Sequence, residues 1–179
     1  MTCILLGVGA SASIHKACDL ASQLTQAGHN VRVIQTMHAA ELVSPQLFEA
    51  LTGQAGAVSE FGDARKQGMD HIELARWAEA FVYAPITAAG LARLAQGAAD
   101  DLASTIVLAL DPKLPKLLCP AMNPVMYAHP AVGRNIARCV QDGWQLMEPV
   151  NGRLACDEEG VGRLPEVPDI VARVNELIR

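Results

Sequence analysis

The stretch CILLGVGASASIHKACDLASQLTQAGHNVRVIQT, Cys3 to Thr36, decides the fold. Its first six residues, Cys3 to Val8, are apolar and include β-branched members, the composition of a buried strand. The small and polar run Gly7-Val-Gly-Ala-Ser-Ala-Ser13 follows, and then Ala17, Leu20, Ala21 and Leu24 recur at helical spacing until Ala27-Gly28, a natural helix stop. Asn30 to Thr36 is a second strand. Strand, tight loop, helix and strand make one βαβ unit with a right-handed crossover.

The same alternation continues along the chain. His38 to Thr52 holds two short helical patterns broken at Pro45, Ala57 to Phe61 reads as a short strand, and Gly62 to Asp70 as a polar loop. Asp70 or the residue before it caps a helix carrying Ile72, Leu74, Ala75 and Ala78. Ala80 to Ala84 is a buried strand stopped at Pro85, Thr87 to Gln96 is helical, and Asp100 and Asp101 suit the start of the helix that ends near Leu110. Lys116 to Cys119 is a strand ending at Pro120. A loop and helix from Asn123 to Gln141, a final strand Trp144 to Met147, a Gly-rich loop Asn151 to Arg163 and a helix from Val167 to Ile178 complete the chain.

Strands that read as near-continuous apolar runs between helices predict an α/β fold, a Rossmann-like, flavodoxin-like parallel sheet with helices on both faces, in one domain from 1 to 179. Such a sheet binds ligands beyond the carboxyl ends of its strands, where the strand order reverses. Ser11 and Ser13, Thr36, Pro85 to Thr87, and Met122 with Asn123 all follow a strand.

Composition narrows the functional classes. Lys plus Arg number 14 and Asp plus Glu 19, a formal charge of −5 that argues against a nucleic-acid surface. Charged residues are 18% and hydrophobic ones 51%, which leaves apolar surface over for a subunit interface. No apolar run approaches the roughly 20 residues of a membrane span. A start at Cys3-Ile-Leu-Leu without a basic leader, and five scattered cysteines, predict a cytoplasmic protein with free thiols. The five histidines show no ligand spacing, so no metal is expected.

Four groups can carry chemistry. The Gly7 to Ser13 loop and the helix after it suit a phosphate, or form only a tight turn; the G-x-G-x-x-G fingerprint is incomplete, and Thr36 stands where a ribose-binding acid would, favouring a mononucleotide over NAD. His71 beside Asp70 reads as a cap, a surface residue or a catalyst. Asn123 in Pro120-Ala-Met-Asn-Pro-Val-Met-Tyr127 reads as a helix cap with Pro124 at the first helical position, or as a functional amide. Cys156 lies in a loop able to close over a ligand, and its neighbours Asp157, Glu158 and Glu159 disfavour a thiolate by like charge, so it reads as a proton donor.

Five segments together resemble the flavin-containing cysteine decarboxylases, from Ile4 to about Ile178: GVGASASIHKA (Gly7 to Ala17), His71-Ile72, APITAAGLARLAQGAADDL (Ala84 to Leu102), PAMNPVMY (Pro120 to Tyr127) and GRLACDEEGVGR (Gly152 to Arg163). The resemblance implies FMN bound between subunits of a trimer, or of a dodecamer built from trimers. It implies that Ser11 and Thr36 hold the flavin phosphate, that Gly9 and Ser13 also bind the cofactor, and that Ala84, Pro85, Thr87 and Ala88 run beside the ring. It further implies His71, Asn123 and Cys156 as catalytic residues, with Met122, Asn123, Met126, Ala155 and Cys156 on the substrate and a clamp loop around 151–163.

The implied reaction is decarboxylation of 4′-phosphopantothenoylcysteine to 4′-phosphopantetheine in coenzyme A synthesis. The cysteine side chain is oxidised to a thioaldehyde, CO₂ leaves to give an enethiolate, and the enethiol is reduced with a proton from Cys156. The alternatives are a flavoprotein decarboxylase for a peptide C-terminal cysteine or another thiol, a flavin reductase or flavin prenyltransferase, and a non-catalytic regulatory flavoprotein. The implied partners are a small-molecule thiol, copies of the chain itself and a separate phosphopantothenoylcysteine ligase, with no nucleic acid and no membrane. Three positions depart from the family pattern: Asp157 replaces a glycine, Ala89 an asparagine and Tyr127 a tryptophan.

Overall fold

The computed structural model describes residues 1–59, 61, 70–153 and 159–179. Strands β1 (Cys3–Val8), β2 (Asn30–Gln35), β3 (Ala80–Ile86), β4 (Lys116–Pro120) and β5 (Gln145–Leu146) form a sheet in the order β2-β1-β3-β4-β5, every pair parallel. β1 lies inside the sheet and its sequence neighbours extend to either side of it, so the order reverses between β1 and β3.

Both faces are covered, which is why the inner strands carry almost no polar residue. Ile4, Leu6 and Val8 point to one face, against Ala17, Leu20, Ala21 and Leu24 of α1 (Ile14–Gln26), Phe48 of α3 (Pro45–Thr52), and Ile170 and Val174 of α9 (Val167–Leu177). Leu5, Phe81 and Tyr83 point to the other face. They pack with α4 (His71–Trp77), α5 (Ala88–Gln96), α6 (Leu102–Ala109) and α8 (Pro130–Gln141) through Leu74, Leu91, Ile106 and Cys139. Phe81 meets Trp144 edge-on at 5.8 Å between ring centres. Asp70 caps α4 by accepting from Glu73 N at 2.8 Å, and Asp101 forms a capping box with Ser104 on α6.

Four expectations need correction. The described residues of the segment Ala57 to Phe61 form no strand: Ala57 makes a single bridge to Ile34, and Phe61 is 73% exposed. The third strand does not stop at Pro85 but runs to Ile86. A proline lacks only the donor, and the Pro85 carbonyl still accepts from Gly9 N at 2.9 Å while Ile86 O accepts from Ala121 N at 3.1 Å. The segment Asn123 to Gln141 holds two helices, α7 (Pro124–Tyr127) and α8, because His129 and Pro130 start a new one.

The fourth correction concerns the end of the chain. Trp144 to Met147 contributes only the two residues of β5 and is not the last strand. The expected loop from 151 to 163 contains most of β6 (Val150–Arg153) and all of β7 (Glu159–Arg163), an antiparallel pair outside the main sheet. Gly152, Gly160 and Gly162 hide that pairing from a propensity reading. Ala155 and Cys156 lie outside the described residues.

Candidate functional site

The loops after β1, β3 and β4 converge beyond the carboxyl ends of their strands, at the reversal of strand order. They line a cavity of about 620 Å³, within the size range of small-molecule sites. One wall is built from Ala10, Ser11, Ala12 and Ser13, leading into α1. Thr87 and Ala88 stand beside it, and Ala121, Met122, Asn123 and Met126 form the opposite side with Gly162, Arg163 and Glu166.

The wall after β1 is shaped by close backbone approach. Gly9 N donates to Pro85 O, and a Cβ at Gly9 would come within 3.0 Å of that oxygen and 3.2 Å of Thr87 Cγ2, so only glycine fits without a shift. Ser13 occupies the N-cap of α1 without making a side-chain cap, while Ser11 Oγ accepts from Ser13 N at 3.3 Å. The positive end of a 13-residue helix therefore faces the cavity beside two hydroxyls, the chemistry that holds a phosphate. Thr87 caps α5, accepting from Gly90 N. The apolar floor of Ala10, Ala12, Ala88, Ala121 and Met122 suits a flat ring. A flavin mononucleotide fits this pairing of phosphate seat and apolar slot.

Asn123 is the helix cap that one sequence reading expects, and it also stands in the cavity wall. Its Oδ1 caps α7, accepting from Val125 N at 2.8 Å and Met126 N at 3.4 Å, and the residue also lines the cavity. The cap fixes the side-chain orientation, with the Nδ2 end as the donor. The β6–β7 pair docks on this turn. Met122 N donates to Gly162 O at 3.0 Å, a Cβ at Gly162 would overlap the Met122 carbonyl oxygen, and one at Gly160 would lie 2.8 Å from the Pro124 ring. Tyr127, at the other end of α7, donates its hydroxyl to Glu148, and burial together with that carboxylate raises the phenol above its usual range.

Ser11, Ser13, Thr87, Ala88, Met122, Asn123 and Met126 thus share one cavity, with Gly9 and Pro85 directly behind its wall. Thr36 and Ala84 do not line it. Thr36 N donates to Val8 O at 3.0 Å and its hydroxyl caps α2 (Met37–Leu42), whereas Ala84 is fully buried in β3. His71 opens α4, away from the cavity lining.

Sequence reasoning missed a charged group at the rim. Lys16 Nζ reaches Leu164 O (3.2 Å), Pro165 O (3.4 Å) and Glu166 (3.0 Å), and Arg163 pairs with the same Glu166. Lys16 first, then Arg163, hold the Glu166 carboxyl below its usual range. A basic residue on the first helix and an acid three residues after Arg163 were visible, but nothing local joins positions about 150 apart. Cys119 and Cys139 are pushed up by burial, to about 12 and about 11, and stay protonated thiols at neutral pH. Among the described residues no group of three His, Cys, Asp or Glu is placed to hold a metal ion, and no helix is long and apolar enough to cross a membrane.

The flavoprotein family model matches residues 1–179. The coenzyme A biosynthesis bifunctional protein CoaBC of Bacillus subtilis is 44% identical over 168 residues, 94% of this chain and 41% of that protein. The chain thus spans about two fifths of the length of the CoaBC relatives it matches. A probable phosphopantothenoylcysteine decarboxylase of Streptococcus mutans is 35% identical over 173 residues, 97% of both chains. The crystal structure of the FMN-dependent cysteine decarboxylase SpaF superposes with a TM-score of 0.82 at 30% identity, covering 100% of this chain and 98% of that one. A parallel sheet with its cavity at the strand-order reversal, matched end to end in sequence and in structure, makes this chain a member of the flavoprotein family.

Proposed function

We propose that the chain is an FMN-dependent decarboxylase of 4′-phosphopantothenoylcysteine, acting in coenzyme A synthesis alongside a phosphopantothenoylcysteine ligase in the cytoplasm. The observation that carries this reading is the position of Asn123, whose amide lines the same cavity as the phosphate seat at the start of α1. The CoaBC and phosphopantothenoylcysteine decarboxylase relatives support the substrate, and SpaF supports FMN.

The chemistry that FMN supplies when bound is two-electron oxidation of the cysteine side chain and the later return of those electrons. Ser11, Ser13 and the first turn of α1 would hold its phosphate, with Thr36 nearby, and Pro85, Thr87 and Ala88 would flank its ring. Asn123 donates to the substrate carboxylate and holds it for departure as CO₂. Met122 and Met126 give that carboxylate an apolar surround, and the β6–β7 pair docked on Met122 and Pro124 keeps water from it. The family resemblance assigns Ala155 and Cys156 to the substrate, with Cys156 as the proton donor to the enethiol.

His71 serves this chemistry from a neighbouring copy in a trimer, or in a dodecamer of trimers. Support comes from its place outside its own cavity lining and from the exposure of Met37, Phe61 and Ile72. Light scattering should give a multiple of three subunits; a stable monomer that turns over substrate overturns that assignment.

The deciding experiment is product mass after incubation of the FMN-loaded protein with 4′-phosphopantothenoylcysteine. Saturated 4′-phosphopantetheine is expected. A product two mass units lighter assigns the chain to oxidative decarboxylation, and no loss of CO₂ overturns the reading.

A further inference from the structure

The cavity rim carries more positive charge than a carboxylate-binding amide needs. Three lining side chains are basic: His15, Lys16 and Arg163. His15 bonds back to Ala12 O at 3.1 Å within its own loop. Lys16 has three N–H groups and three acceptors already in place, namely Leu164 O, Pro165 O and Glu166. It is a post that holds the turn between β7 and α9.

Arg163 differs. It lines the cavity, its guanidinium lies over Gly152 (a Cβ there would be 3.2 Å from Nη1), and its ion pair is with Glu166. Its Nε is buried without a hydrogen-bond partner. Among the described residues, Glu166, which already answers to Lys16, is the carboxylate partner of this five-donor group. The pair is open to water, with side-chain exposures of 40% for Arg163 and 53% for Glu166, so solvent screens it and a better anion can displace it. A phosphomonoester is such an anion, because its dianionic oxygens match the guanidinium fork in two places.

We infer that Arg163 is the receptor for the phosphate at the far end of the substrate, and that Glu166 holds the guanidinium until that phosphate replaces it. Asn123 then takes the carboxylate end and Arg163 the phosphate end, which makes Arg163 the residue that prefers a phosphorylated thiol over a free or peptide one. The inference rests on the decarboxylase reading above. The flavin carries a phosphate too, so the test separates the two sources.

The FMN-loaded parent protein, Arg163→Gln and Glu166→Gln are titrated calorimetrically with 4′-phosphopantetheine and with pantetheine, and flavin content is read from absorbance. The parent should bind the phosphorylated ligand at least tenfold more tightly. Arg163→Gln should weaken 4′-phosphopantetheine about 10- to 100-fold, the range for hydrogen bonds to a charged group, and pantetheine less than twofold, with flavin content unchanged. Glu166→Gln should tighten 4′-phosphopantetheine alone. The charge-keeping Arg163→Lys should restore part of the preference.

Equal weakening of both ligands by Arg163→Gln would mean that Arg163 only braces β7, and loss of flavin would mean that it serves the flavin phosphate; either overturns the inference. A parent that binds both ligands equally overturns it while leaving the decarboxylase reading intact. A parent that binds neither overturns both.

Discussion

The two sides of the cavity are built differently. The side after β1 and β3 is main chain held by buried strands: Gly9 against Pro85, the start of α1, and Thr87 capping α5. The side around α7 and β7 is a short helix and a two-stranded ribbon held by glycine contacts, one Met122 N to Gly162 O bond and solvent-exposed ion pairs. Burial makes the first side costly to deform, whereas the second is set by a few separable contacts. A ligand that stays suits the first, and a ligand that must enter and leave suits the second.

Single changes can break that division. The largest effect is expected for Asn123→Asp. Aspartate caps a helix as well as asparagine, so α7 should persist, but the donor is gone and a carboxylate faces the substrate carboxylate. Turnover should fall by about 10²- to 10³-fold with the flavin spectrum intact; near-parent turnover would show that Asn123 is only a cap. Gly162→Ala forces β7 off the Met122 carbonyl and should cost about 100-fold in turnover through misplacement, again with flavin retained. Gly9→Ala is its mirror image: flavin occupancy of the purified protein should drop, and reconstitution at high FMN should recover activity.

Phe81→Ala tests the shared support of both sides. It removes a fully buried ring packed edge-on against Trp144 and should cost about 3–5 kcal/mol in denaturant unfolding, with both ligands affected alike. Tyr127→Phe removes only the hydroxyl tied to Glu148 at the far end of α7. About 1 kcal/mol or less should appear as a raised KM, not as flavin loss.

The smallest effect is in pH. The Glu166 carboxyl is lowered by Lys16 and Arg163, so it binds a proton less readily folded than unfolded. Its contribution to stability is present above the unfolded value of 4.5 and is lost as pH falls through the lower folded one. A carboxylate NMR titration should therefore find Glu166 still ionised at pH 4.5, and a midpoint at or above that value would break the rim assignment.

How legible each side was follows from the same difference. β1, β3 and β4 stand out because burial on both faces leaves an unbroken apolar run, and Ser11, Ser13, Thr87, Met122 and Asn123 stand out because they follow such runs. β6 and β7 were unreadable because their glycines serve an external contact, the approach to Met122 and Pro124, at the expense of strand propensity. Pro85 misled for a related reason: proline forbids donating, and β3 there only has to accept. Lys16, Arg163 and Glu166 become a group only once α1 and the β7–α9 turn meet in space. The placement of His71 outside its own cavity depends on tertiary structure that no local pattern encodes.

Helix α9 starts at the cavity rim, just after Glu166, and runs toward the amino-terminal ends of the strands, where Asn175 meets His29 immediately before β2 begins. Its last turn is therefore displaced from the cavity by the length of the helix, about 16 Å at 1.5 Å per residue for eleven residues. A fluorophore carried on the exposed Glu176 of that turn would sit at the end away from the cavity, where it can report unfolding without touching a bound ligand.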